Sequence, residues 1–175
     1  MVEMMVAIAV FSIVMVTAMS ALINVINADK QAEAIKTAVD NISFALDGIS
    51  RDMRMGAEYQ CLDSSGNITA CVSSGNAGVT FKSSKAINTY AYYKFSNYQI
   101  QSCTNTSNSG CSNFSALTSS EVTLTSVKFY VLNDDPSTQI VEQPRAIITV
   151  SGEAGSRVKT DFDLQTSVSQ RTRPN

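Results

Sequence analysis

Apolar and polar positions divide this chain into three stretches with different periods. From Met4 to Ala28, 25 consecutive positions carry no charge and 20 of them are apolar. As a helix this run rises about 38 Å at ~1.5 Å per residue, more than the roughly 30 Å of hydrocarbon in a bilayer, so a membrane-spanning segment is predicted. A cleavable signal peptide is the competing reading, with Ala18-Met19-Ser20 as a passable cleavage pattern. Such a peptide has a basic start and a shorter apolar core, and neither is present.

After Ala28 the helical signal continues with one apolar face. Asp29, Lys30, Glu33, Lys36, Asp40 and Asp47 enter among good helix formers, while Ile35, Val39, Ile42, Leu46, Ile49 and Met53 recur at spacings of four, three, four, three and four. This is a narrow stripe on a helix, expected to pack on the chain's own downstream domain; a seam to a partner helix is its other use. Neither proline nor glycine interrupts residues 1 to 47. One helix of about 50 residues, roughly 75 Å long, is therefore predicted. It closes near Arg54-Met55-Gly56, with Gly56 as C-cap and Arg51 and Arg54 complementing the helix dipole.

From Ala57 onward the period shortens to two. Strands are predicted at 78–82, 89–95, 98–101, 122–132 (with a bulge near Ser126) and 145–151. The last strand is the clearest: Val158, Thr160, Phe162, Leu164, Thr166 and Val168 share one face, and Lys159, Asp161, Asp163 and Gln165 the other. The predicted class is α+β, one long helix packed on an antiparallel sheet whose apolar face the stripe covers. Residues 1–28 are the membrane half of the helix and 29–56 its amphipathic half. Residues 57–170 form a sheet domain and 171–175 a polar tail.

Composition sharpens the functional side. Histidine is absent, which removes Ser-His-Asp and Cys-His catalysis and His-containing metal sites. Net charge is −2 and the pI about 5.1, so no broad basic field points to nucleic acid as a partner. Cys61, Cys71, Cys103 and Cys111 stand in Ser-, Asn- and Thr-rich segments, read as the loops 60–76 and 102–120, without the spacing of a zinc knuckle. Disulfides in an oxidising compartment are expected. Of the three pairings, the local one, Cys61 with Cys71 and Cys103 with Cys111, is favoured because each bridge then closes a polar loop that nothing else holds.

Asn133-Asp134-Asp135-Pro136 offers oxygen ligands that could hold calcium, but reads better as a solvated turn, so no metal site is predicted. Tyr90, Tyr92, Tyr93, Phe95 and Tyr98 could form a stacking platform for single-stranded DNA; with only Lys82, Lys85 and Lys94 nearby, packing is the better reading. No acid/base pair, phosphate loop or nucleophile constellation is visible, and neither enzyme activity nor a cofactor is expected.

Glu3 precedes the apolar run, where an unpaired carboxylate costs a few kcal/mol. The segment Val2-Glu3-Met4-Met5-Val6-Ala7-Ile8-Ala9-Val10-Phe11-Ser12-Ile13 resembles the N-terminal segment of type IV pilins and type II secretion pseudopilins. There a short basic leader ends in Gly, a Phe follows, and a Glu comes a few residues later. Leader, Gly and Phe are missing here; either they lie upstream of Met1 or the start has been replaced. More weakly, Ile49-Ser50-Arg51-Asp52-Met53-Arg54-Met55-Gly56, Gln143-Pro144-Arg145-Ala146-Ile147-Ile148 and 162–171 resemble J-type minor pseudopilins, and no cysteine follows Cys111 to close the C-terminal loop usual in major pilins.

The resemblance implies a pilin-like fold and a structural subunit, a minor pilin or pseudopilin, in a type IV pilus or type II secretion-like filament. Glu3 would pair with the N-terminal ammonium of a neighbouring subunit. Implied partners are other subunits through the N-terminal helix, the cytoplasmic membrane, the inner-membrane assembly machinery and, for a precursor with a leader, prepilin peptidase. The chain would cross the inner membrane once with its domain outside, and end in a periplasmic or surface filament. A monomeric membrane-anchored binding module and a DNA-uptake minor pilin are the alternative readings.

Overall fold

The apolar run and the striped segment form one uninterrupted helix, α1 (Val2–Met55, 54 residues). A computed structural model describes residues 2–120, 122–132, 143–155 and 159–171. Two predicted features, the turn at Asn133, Asp134, Asp135 and Pro136 and the strand position Val158, lie outside them. Helix α1 ends where predicted, but not through a left-handed cap. The Gly56 N–H bonds the Met53 carbonyl at 2.9 Å, tightening the last turn, and Gly56 is absent from the positive-φ glycines. Its need for a hydrogen side chain is spatial: a Cβ there would lie 2.4 Å from Phe81 Cδ2.

Among the described residues nine strands follow: β1 (Ala57–Leu62), β2 (Ile68–Thr69), β3 (Gly78–Lys82), β4 (Tyr90–Ser96), β5 (Gln99–Asn105), β6 (Ser115–Ala116), β7 (Thr123–Leu132), β8 (Arg145–Ala154) and β9 (Thr160–Ser169). All pairings are antiparallel, in a six-stranded sheet of order β2-β1-β3-β4-β5-β6 and a three-stranded sheet of order β7-β8-β9. The register shift in β7 falls between Leu124 and Ser126, at the predicted bulge. Residues Asn76 and Phe129 exchange backbone hydrogen bonds of 2.9 and 3.0 Å, and the Leu124 N–H bonds the Tyr98 carbonyl at 3.1 Å. These bonds stitch the two sheets together, so both present apolar residues to the helix.

That surface and α1 form one core. Ile42, Ile49 and Met53 are fully buried against Phe81, Ile100, Leu124 and Ile148. The result is α+β, a long N-terminal helix on antiparallel sheet, as the pilin-like expectation has it.

Behind the six-stranded sheet lies a second, smaller buried layer. Cross-strand register aligns Gln60, Thr80, Tyr92 and Cys103 in one row. Alternation turns this row away from the helix, because Tyr93, the neighbour of Tyr92, faces Asp52 of α1. The loop after β5 folds over the row: Tyr92 Oη donates to the Ser107 carbonyl at 3.1 Å and accepts from the Gly110 N–H at 3.3 Å, while Asn108 Nδ2 donates to Gln60 Oε1 at 3.0 Å. Lys94 Nζ lies 4.1 Å from the centre of the Phe114 ring. Tyr92, Leu62 and Thr80 are fully enclosed as a result.

Candidate functional site

The first half of α1 is left uncovered by its own domain. Every residue from Val2 to Lys30 is exposed, and no charge falls between Glu3 and Asp29. Polar side chains within this stem satisfy themselves on the helix: Ser12 Oγ donates to the Ile8 carbonyl at 2.8 Å and Thr17 Oγ1 to the Val14 carbonyl at 2.9 Å. In hydrocarbon no water could serve instead, so these bonds suit the stem to lipid. By length and composition the stem can cross a bilayer. Glu3 lies in the first turn, where the positive end of the helix dipole favours an acid.

The domain grips α1 only from Gln31 onward, where Gln31 Nε2 donates to Thr160 Oγ1 of β9 at 2.5 Å. Of the six stripe residues, Ile42, Leu46, Ile49 and Met53 are buried and Ile35 packs, half-buried, against the core. Val39 is half-buried and outside the core cluster. Ala38 and Ala45 are buried as well, at 2% and 1% exposure. They lie outside the stripe of large apolar side chains, and their small size lets the helix approach the sheet. On the opposite face Phe44 stands 79% exposed.

The cysteines pair locally, Cys61 with Cys71 and Cys103 with Cys111, with Cα atoms 5.1 and 6.4 Å apart. Their setting differs from the predicted loops. Cys61 is a fully buried residue of β1 and Cys103 a residue of β5, so each bridge ties a segment to a strand rather than closing a free loop. One bridge holds the short edge strand β2 beside β1. The other anchors the segment that covers Tyr92. Period-two pattern alone gave no sign of β1, β2 or β6, since Glu58 at φ 57° and a register shift between Ala57 and Gln60 break the alternation at the start of β1.

The five clustered aromatic rings do not make one exposed face. Tyr92 and Tyr93 point to opposite sides and both are buried, Phe95 packs on the core, and Tyr98 stands apart. Among the described residues no three His, Cys, Asp or Glu side chains converge as a metal site.

No family model, curated protein or solved structure matches this chain. A helix half that is apolar all round and free of its own domain has only lipid or other helices for surroundings.

Proposed function

We propose that this protein is a structural subunit of a filament of the pilin or pseudopilin type, held in the cytoplasmic membrane by its stem before assembly. The observation that carries the reading is the exposed stem, uncharged from Met4 to Ala28 and headed by one acid. Such a helix serves twice, first against lipid and then against the stems of sister subunits, because the two surroundings are similarly apolar. A plain anchor gains nothing from Glu3. A bundle of stems does: in a water-poor interior a lone carboxylate is costly, and a partner's ammonium restores it while fixing how far one subunit sits above the next.

The sheet domain would then decorate the outside of the filament, with the disulfides suited to an oxidising compartment. The resemblance at 49–56 and 143–148 favours a minor, low-copy subunit. Replacing Glu3 by Leu tests the reading. Membrane insertion should be retained and incorporation into filaments lost. Unchanged incorporation of the Leu variant would remove the pairing role of Glu3, and a parent chain that enters no filament would be a monomeric anchored module.

A further inference from the structure

A cavity of about 380 Å³ opens where the stem meets the domain. This is within the size range of small-ligand sites. Its floor is apolar and made of small groups: Ala38 and Ala154 are buried, and Val122 closes the base. Its wall is one face of α1, where Lys30, Glu33 and Thr37 follow one another at helical spacing, all exposed. Lys30 and Glu33 carry opposite charges, and among the described residues neither has an ion-pair partner within 4.0 Å.

Height along the helix decides what this cavity meets. If the stem spans a bilayer, about 20 residues cross the hydrocarbon and the next 5–8 Å is headgroup. A span of that length ending at Ala28, the last position of the uncharged run, puts Lys30 about 3 Å and Glu33 about 8 Å above the hydrocarbon edge. Lys30 and Glu33 then stand at headgroup level with the cavity open beside them.

The geometry points to this cavity as a site for one zwitterionic phospholipid headgroup that carries a primary ammonium, the ethanolamine type. Lys30 would take the phosphodiester and Glu33 the ammonium. A primary ammonium donates hydrogen bonds to a carboxylate; the quaternary ammonium of a choline headgroup has no N–H to give. Neither a purely anionic lipid nor an acidic peptide uses Glu33. Occupancy would fix the domain's height and its rotation about the stem, holding the subunit in one orientation at the membrane surface. The proposal rests on the stem being a membrane span and goes beyond filament assembly.

The test uses the full chain in vesicles of phosphatidylcholine alone, or with phosphatidylethanolamine or phosphatidylglycerol added. Flotation reads insertion, and native mass spectrometry after detergent extraction reads retained lipid. One phosphatidylethanolamine per chain is expected, preferred over phosphatidylcholine by about tenfold, as for one charge-assisted hydrogen bond. Glu33→Gln should remove the preference and Ala34→Phe, which fills the cavity from an already half-exposed position, should remove retention; both variants should float normally. Glycerophosphoethanolamine lacking acyl chains should not displace the lipid; displacement at equal concentration would show a soluble ligand and overturn the lipid assignment. Insertion with equal retention of all three lipids overturns the site while leaving the membrane span intact. Failure to float overturns both.

Discussion

Tyr93 Oη donates a 2.9 Å hydrogen bond to Asp52 Oδ2, joining the last turn of the helix to strand β4. Lys85, from the loop between β3 and β4, meets the other carboxylate oxygen of Asp52 at 2.5 Å. Burial, with the carboxylate adding to it, pushes the Tyr93 phenol well above its usual value of 10.0. The unfolded chain therefore releases this proton near pH 10 while the folded protein keeps it.

It follows that stability contributed by Tyr93 is complete below pH 10 and declines above it, by at most about 1.4 kcal/mol per pH unit. Tyr93→Phe should flatten that alkaline slope in urea titrations between pH 9 and 11. Asp52→Ala should cost about 1–3 kcal/mol at neutral pH, because it leaves the phenol without its acceptor. An unchanged slope in the Phe variant would mean that other groups govern alkaline unfolding.

Gly56→Ala should destabilise the domain by about 1–3 kcal/mol. The added methyl would meet the Phe81 ring, which is fully buried between Tyr59 and Tyr93 and has nowhere to turn. Thermal melts of the domain read the effect. A neutral result would show that the end of the helix can shift away from β3.

Thr80→Val should stabilise. Thr80 is wholly enclosed and its Oγ1 has no hydrogen-bond partner among the described residues. Valine keeps the shape and the β-branch while removing a group whose desolvation costs about 1–3 kcal/mol. A rise in the urea midpoint at constant m-value would be the sign, and a fall would reveal a partner for the hydroxyl.

Removing the second disulfide, as Cys103→Ser with Cys111→Ser, should cost about 2–3 kcal/mol. It should also loosen the cover on the outer layer. Hydrogen exchange at the Gly110 amide, which bonds Tyr92 Oη, should accelerate more than at the β8 amides. Equal acceleration at both would place the loss in global unfolding alone.

Much of the fold was legible because one side chain in three or four, or one in two, repeats cleanly. The long helix, the strands from Gly78 on apart from β6, and the bulge in β7 all follow from such counting. The outer layer was not legible, because its members come from different strands and are brought together only by register: nothing local aligns Gln60, Thr80, Tyr92 and Cys103. Gly56 shows the same limit. Its position at the end of a helix suggested backbone freedom, whereas its reason is Phe81, 25 residues away. At the candidate site, Glu3 and the uncharged run could be read directly, while the cavity beside Lys30 needed Val122, just before β7, and Ala154 of β8 to complete its floor.

Because the domain takes hold of the helix only from Gln31 onward, the two halves of α1 answer to different measurements. Melting curves and denaturant titrations of the isolated protein register changes in the gripped half and pass over those in the free half. A damaging substitution between Met4 and Ala28 would thus leave a purified protein that looks sound by every criterion of folding. Its defect would surface only in measurements that give the free half its own apolar surroundings, lipid or other helices.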